Sequence, residues 1–220
     1  MNEPKRTTRL RAAVFDLDGT LIDSLPLVLS SVAHALEPYG PRSATEIFAK
    51  LGGPPERFLP NLLDDAQHVA AAMARMDAYH RANSHTIAAF AGALPFLTAL
   101  RARGVQLAVW TGRDRASMEE LFPQTGLKSV FDTVVAGDDL PSHKPDPEGL
   151  REIMRRLGVS PAETIFVGDA DVDVLGGVAA GVDSVLIEHA RGITPEVRAQ
   201  AWRSVRTTEE AYALLLRCAE

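Results

Sequence analysis

Apolar positions cluster in five short runs along the chain, at residues 12–15, 105–110, 164–167, 184–187 and, more weakly, 130–136. These runs are continuous instead of alternating with polar residues, the pattern of strands buried on both faces. Between them the apolar residues recur at helical spacing. Leu94, Leu97 and Leu100 precede Gly104, and Ile153, Met154 and Leu157 precede Gly158, each glycine marking a helix end. A final helix is predicted over residues 208–218, capped by Thr207 or Thr208 with Glu210 in its first turn. Strands alternating with helices predict an open parallel α/β sheet with right-handed crossovers.

One stretch breaks this rhythm. From Ser24 to about Phe90 there is no strand-like run, while Ala, Leu and Met recur in helix-friendly segments, notably residues 64–80. The stretch is too long for a loop in a compact domain. It reads as an all-helical domain inserted after the first strand, with Gly52-Gly53-Pro54-Pro55 as a turn between helices. The chain therefore divides into a core, residues 1–23 and 92–220, and a helical insert, residues 24–91.

Composition narrows the partners. Of 220 residues, 46% are hydrophobic and 24% charged, the balance of an ordinary globular protein. A net charge of -6 argues against nucleic acid or an anionic membrane as main partner, although a local metal or lysine can still hold a phosphate. The single cysteine, Cys218, excludes an internal disulfide framework and a cysteine zinc cluster, and reads as inert packing. No apolar run approaches the roughly 20 residues of a membrane span. A cytoplasmic protein, monomer or homodimer, is the expectation.

Three of the strand-like runs end in a reactive polar group: Val14-Phe15-Asp16, Val109-Trp110-Thr111 and Phe166-Val167-Gly168-Asp169. In open parallel sheets ligands bind outside the carboxyl ends of the strands, so these groups should converge. The densest segment is Asp16-Leu17-Asp18-Gly19-Thr20-Leu21-Ile22-Asp23-Ser24. Its three carboxylates repel one another unless a cation sits among them. Asp16 and Asp18, two apart, can face one side, and Gly19 lets the chain turn away. Asp-Gly alone would be an ordinary solvated turn.

Asp16-Leu17-Asp18-Gly19-Thr20-Leu21 resembles the first signature of the haloacid dehalogenase-like superfamily, whose phosphatases carry Asp-x-Asp-Gly-Thr. Further signatures follow in order: Thr111; Lys144 within His143-Lys144-Pro145-Asp146-Pro147; and Gly168-Asp169 with Asp173. The helical insert, the Gly52–Pro55 turn and Phe90-Ala91-Gly92-Ala93 look like the phosphoglycolate phosphatase-like branch, which implies a Rossmann-like core with a helical cap. The resemblance implies a phosphatase acting on a small phosphorylated metabolite: a glycolate-like, sugar or nucleotide phosphate. Asp16 would attack phosphorus and form an aspartyl-phosphate. Asp18 would act as acid, then base. Mg²⁺ would be held by Asp16, Asp169 and the Asp18 carbonyl, with Asp173 as a further or alternate ligand. Lys144, Thr111 and the Gly112 amide would hold phosphoryl oxygens.

Branch details matter too. Asp18 stands where dehalogenases usually carry Tyr, and Thr20 where hexose phosphomutases usually carry Val. Thr20, Gly112, Arg113, Lys50 and Arg57 are the expected substrate-binding residues. Arg113 departs from the branch, which often has Asn-Lys after the threonine; it either reaches a substrate anion or pairs with Asp114 or another surface acid. Lys50 and Arg57 flank the Gly52–Pro55 turn, which a cap swinging on tethers near residues 23–24 and 91–92 would present to the leaving group. Lys144, between Pro141 and Pro145, would by itself read as a solvated lysine, and Asp171 as a solvated turn residue. Gly176, Gly177 and Gly181 suggest close helix–strand packing. His34, His68, His80, His85 and His189 lack metal-ligand spacing. A phosphomutase, a pyrophosphatase, a phosphoprotein phosphatase and a non-catalytic phosphometabolite-binding module are the alternatives.

Overall fold

A computed structural model describes residues 8–51, 55–189 and 193–220. Its strands, in chain order, are β1 (Ala12–Phe15), β2 (Ile22–Asp23), β3 (Ala88–Ala89), β4 (Gln106–Trp110), β5 (Thr133–Val135), β6 (Thr164–Gly168), β7 (Asp183–Ile187) and β8 (Arg203–Val205). Six of them form one sheet in the order β5-β4-β1-β6-β7-β8, and every neighbouring pair is parallel. Counting only this sheet's strands along the chain, the order is 3-2-1-4-5-6, a doubly wound Rossmann-like sheet with β1 at its centre. The short β2 and β3 pair with each other.

The unbroken apolar runs follow from this placement, because helices cover both faces. Ala12 and Val14, with Ala108, Trp110 and Phe166, pack on Leu150, Ile153, Met154 and Leu157 of the helix Glu148–Leu157. On the other face Phe15 meets Phe96 edge-on, with ring centroids 5.8 Å apart, and Phe96 stacks on Tyr212 at 4.2 Å. Phe96 and Tyr212 belong to the helices Ala93–Ala102 and Thr208–Cys218. The latter begins where Thr207 Oγ1 accepts the Glu210 N–H. Gly177 lets the helix Asp171–Ala180 lie close on β7: a Cβ there would stand 1.9 Å from Ser184 Oγ.

Several boundaries differ from those read in the sequence. β5 is shorter than its apolar run because Asp132 pairs with β4 from outside it, exchanging hydrogen bonds with Leu107. The edge strand β8, Arg-Ser-Val, has no apolar run to betray it and is recognised only by its pairing with β7. β3 falls in the stretch read as free of strands; two residues leave no periodicity. The helix expected over 64–80 runs instead from Val69 to Asn83, because Asp65 accepts the Gln67 N–H and winds a 3-10 turn, Ala66–His68, ahead of it. Asp171 opens a helix instead of sitting in a turn.

The chain divides into two compact units, Met1–Asp23 with Ala89–Glu220, and Ser24–Ala88. The second division falls three residues before the 91/92 boundary inferred from the sequence. The smaller unit holds the helices Leu25–Leu36, Ala44–Lys50, Pro55–Phe58 and Val69–Asn83 around its own core of Val32, Ala35, Leu36, Ile47, Phe58, Leu59, Leu62, Ala72 and Met76. Ser43 and Glu46 cap Ala44–Lys50 reciprocally. Of the Gly52-Gly53-Pro54-Pro55 turn, the first three residues lie outside the described residues. Among the described residues no helix is long and apolar enough to cross a membrane.

Candidate active site

The sheet's strand order reverses at β1, and there the carboxyl ends of β1, β4 and β6 lie side by side. Asp16 follows β1 directly, its N–H bonded to the Val167 carbonyl at 2.8 Å. The chain then folds back tightly: the Leu21 and Ile22 amides both return to the Leu17 carbonyl, at 2.9 and 3.0 Å. Gly19 takes φ +76°, and a Cβ there would stand 2.2 Å from Asp169 Oδ2, so only glycine fits. Thr111 follows β4, and Asp169 follows β6. Asp173 lies in the first turn of the next helix, where its Oδ2 accepts the Asp169 and Ala170 N–H groups at 3.1 and 3.0 Å.

Asp16, Asp169 and Asp173 are all buried, and each presents a carboxylate oxygen within 4.8 Å of the others. Lys144 Nζ joins them, donating to Asp16 Oδ1 at 2.6 Å and to Asp173 Oδ1 at 2.8 Å. It rests 5.1 Å from the Trp110 ring centroid and 5.2 Å from that of Phe166. Lys144 is thus an interior cation over two aromatic faces, not a solvated lysine.

These four groups carry a formal charge of −2. At an effective dielectric constant of about 20, two like charges near 4.8 Å apart repel by about 3.5 kcal/mol. Burial pushes the Asp16 carboxyl up to about 7; Lys144 opposes this, while Asp173 and Asp18 add to it. Burial disfavours the Lys144 ammonium, but Asp16 and Asp173 together more than offset it and hold it charged. A buried, all-carboxylate oxygen cluster with excess negative charge fits a small hard divalent cation, Mg²⁺ above the softer metals.

Asp18 lies apart from the trio. Arg113 grips it with a two-pronged fork, Nε to Oδ2 and Nη2 to Oδ1, both at 2.6 Å. The alternative partner Asp114 is used elsewhere, capping the helix Arg115–Thr125 through the Ser117 N–H. Arg113 is therefore neither a surface residue nor paired with Asp114. Thr111 is buried, and its Oγ1 accepts the Arg113 N–H at 3.1 Å. Gly112 beside it is exposed.

Thr20, expected to bind substrate, is fully buried, and its carbonyl accepts the Tyr212 hydroxyl at 3.2 Å. Its buried Oγ1 has no hydrogen-bond partner among the described residues. Lys50 and Arg57 are exposed on the smaller unit, at the end of Ala44–Lys50 and within Pro55–Phe58. Sequence reasoning missed His189, whose Nε2 lies 2.5 Å from the Gly19 carbonyl while its ring stacks on Phe90. No spacing signals it; only the fold brings residue 189 back to the β1 loop.

Comparison with known proteins follows the same lines. The family model described as haloacid dehalogenase-like hydrolase matches residues 13–187. The phosphoglycolate phosphatase (plasmid) of Cupriavidus necator is 35% identical over 188 residues, covering 81% of this chain and 80% of that protein. Pyrophosphatase PpaX of Halalkalibacterium halodurans is 33% identical over 191 residues, covering 82% and 85%. The solved structure of a haloacid dehalogenase-like hydrolase from Streptococcus pneumoniae superposes with a TM-score of 0.78 over 94% of this chain and 98% of that one. At 20% identity it shows the shared fold.

Proposed function

The chain belongs to the haloacid dehalogenase-like hydrolases, and from that premise we propose that it is a Mg²⁺-dependent phosphatase that hydrolyses a phosphate ester of a small metabolite through an aspartyl-phosphate. The observation that carries this reading is Asp16 at the switch point, bound through Oδ1 by Lys144 and flanked by Asp169 and Asp173.

With Oδ1 held by the lysine, Asp16 Oδ2 is the attacking oxygen. As its bond to phosphorus forms, the bond from phosphorus to the leaving oxygen breaks, and that oxygen takes the electron pair with a proton from Asp18. Asp18 then removes a proton from the water that attacks the aspartyl-phosphate. Inorganic phosphate leaves and the Asp16 carboxylate is restored. Lys144 neutralises phosphoryl oxygens as charge accumulates there. The Thr111 hydroxyl, already an acceptor for Arg113 N–H, has its own proton to give to the same group. Asp16, Asp169 and Asp173, with the Asp18 carbonyl, would hold Mg²⁺, which supplies charge neutralisation of the transferring phosphoryl group. Lys50 and Arg57 serve in this reading as selectors of the leaving group.

The two relatives act, by name, on phosphoglycolate and on pyrophosphate. Pyrophosphate hydrolysis is accordingly the second reading; it uses the same attack with phosphate as leaving group. The test is a panel of p-nitrophenyl phosphate, phosphoglycolate, pyrophosphate, sugar phosphates and phosphopeptides, each with Mg²⁺ and with EDTA. Mg²⁺-dependent release of phosphate is expected, with Asp16→Asn folded and below about 0.1% of wild-type turnover, since removing a nucleophile commonly costs at least 10³-fold. Undiminished hydrolysis in EDTA, or an active Asp16→Asn, overturns the proposal.

A further inference from the structure

Resting on the reading above, we propose that Arg113 is a latch on Asp18 that opens onto a second anionic group of the substrate. The chain thereby selects phosphate esters or anhydrides bearing a carboxylate or phosphate a few bonds from the leaving oxygen. The Arg113 fork occupies both oxygens of Asp18, each at 2.6 Å. The pair is largely enclosed, with side-chain exposures of 16% for Arg113 and 31% for Asp18. While it holds, neither Asp18 oxygen can turn to a leaving group.

The backbone of Arg113 is fixed on both sides. Its N–H bonds Thr111 Oγ1 at 3.1 Å, and its carbonyl accepts the Gly137 N–H at 2.6 Å. Asp114 next to it caps a helix. The side chain alone is left to move, from an anchor at the end of β4.

Displacing a carboxylate from a guanidinium fork takes a group that brings negative charge and two acceptor oxygens spaced for its paired N–H groups. A carboxylate or a phosphate does so; a sugar hydroxyl offers one neutral oxygen and does not. The leaving oxygen must approach Asp18, and Arg113 is one ion pair beyond. An anion a few bonds from that oxygen therefore reaches the fork as the scissile phosphate reaches Asp16. Such a substrate binds Arg113 and releases Asp18 in one event. A neutral phosphate ester gains the phosphoryl contacts and leaves the latch shut, so its penalty falls on kcat as well as on KM.

Wild-type protein is assayed on phosphoglycolate and on its neutral counterpart ethyl phosphate, with p-nitrophenyl phosphate as a substrate whose leaving group needs little proton assistance. The latch predicts kcat/KM at least about 100-fold higher for phosphoglycolate than for ethyl phosphate, the order of a lost charge-assisted hydrogen-bonded pair. In Arg113→Ala that ratio falls to within about fivefold, and Arg113→Lys, which keeps the charge without the fork, lies between. A variant-free measurement stands beside this: phosphonoacetate should inhibit wild-type hydrolysis of p-nitrophenyl phosphate at least about 30-fold more tightly than ethylphosphonate, by the same argument. A flat wild-type ratio, equal inhibition by the two phosphonates, or equal losses on both esters in Arg113→Ala overturns the latch while leaving the phosphatase reading intact. Failure to hydrolyse any of the three esters overturns the phosphatase reading and the latch with it.

Discussion

Gly19→Ala perturbs the site at one carbon atom. Its cost has two separable parts. The first is conformational: φ is +76°, and the left-handed region costs a residue with a Cβ roughly 1–2 kcal/mol, partly offset by the lower unfolded-state entropy of alanine. The second is a collision, because the new Cβ would lie 2.2 Å from Asp169 Oδ2 and 2.6 Å from its Cγ. Asp169 is only 2% exposed, so it cannot swing into solvent. Relieving an overlap of this kind in a packed interior costs about 1–3 kcal/mol. Gly104→Ala is the control: its φ is +78°, yet nothing lies within 4 Å of the added atom. Urea unfolding, followed by fluorescence of the buried Trp110, should place Gly104→Ala about 1 kcal/mol below wild type, from the conformational part alone. Gly19→Ala should lie about 2–4 kcal/mol below, the sum of both parts. In an Asp169→Ala background the Gly19 cost should shrink to the Gly104 value, since the cycle cancels whatever else Asp169 does. Gly19→Ala costing no more than Gly104→Ala, or costing the same with Asp169 removed, refutes the claim that the carboxylate's approach is what demands glycine.

Mg²⁺ should stabilise the protein by linkage, about 2.7 kcal/mol at 100 times the dissociation constant, visible as a higher melting temperature that EDTA abolishes. Asp173→Asn should lose most of that shift; identical melting with and without Mg²⁺ counts against the carboxylate cluster as a cation site. Arg115 binds Asp139 in a fork, and that hydrogen bond, aided by the Ala136 N–H, holds the Asp139 carboxyl below its usual value while partial burial opposes. A depressed carboxyl stabilises above its unfolded pKa of about 4 and loses this as pH falls. Asp139→Asn should therefore be less stable than wild type at pH 7, with the gap narrowing as pH falls below about 4 in urea titrations; a gap that does not narrow there removes the ion pair as its cause. Lys50→Ala and Arg57→Ala should reorder the preference among natural substrates while barely changing p-nitrophenyl phosphate hydrolysis, and equal losses on every substrate would remove both from the selector role.

The parts of the site legible in the sequence are those whose chemistry is local. Asp16, Asp18 and Gly19 are near neighbours in the chain, and Asp169 and Asp173 stand four residues apart across the junction of β6 with the next helix, so their spacing carries their geometry. Lys144 is different. Its neighbouring residues suggest a solvated lysine, and only Trp110 and Phe166, from β4 and β6, make its surroundings an interior. The burial of Thr20 was likewise hidden, because Tyr212 comes from the far end of the chain to cover it.

Strand register explains which distant residues meet. In the sheet Phe15 lies opposite Val109, 94 positions on, and opposite Val167, 152 positions on. Carried just past the strand ends, those offsets nearly reproduce the site. Asp18 meets Arg113 at a separation of 95, and Asp16 clusters with Asp169, which is 153 positions away. The Arg113 latch is thus a consequence of β1 lying against β4, as the carboxylate cluster is of β1 lying against β6. Apolar runs identify strands but not which strands are neighbours or in what register, and a slip of one residue would turn each side chain to the other face. The fork on Asp18 could not be read before the sheet order was known; once it is known, a two-residue turn after each strand brings the acid and the arginine together.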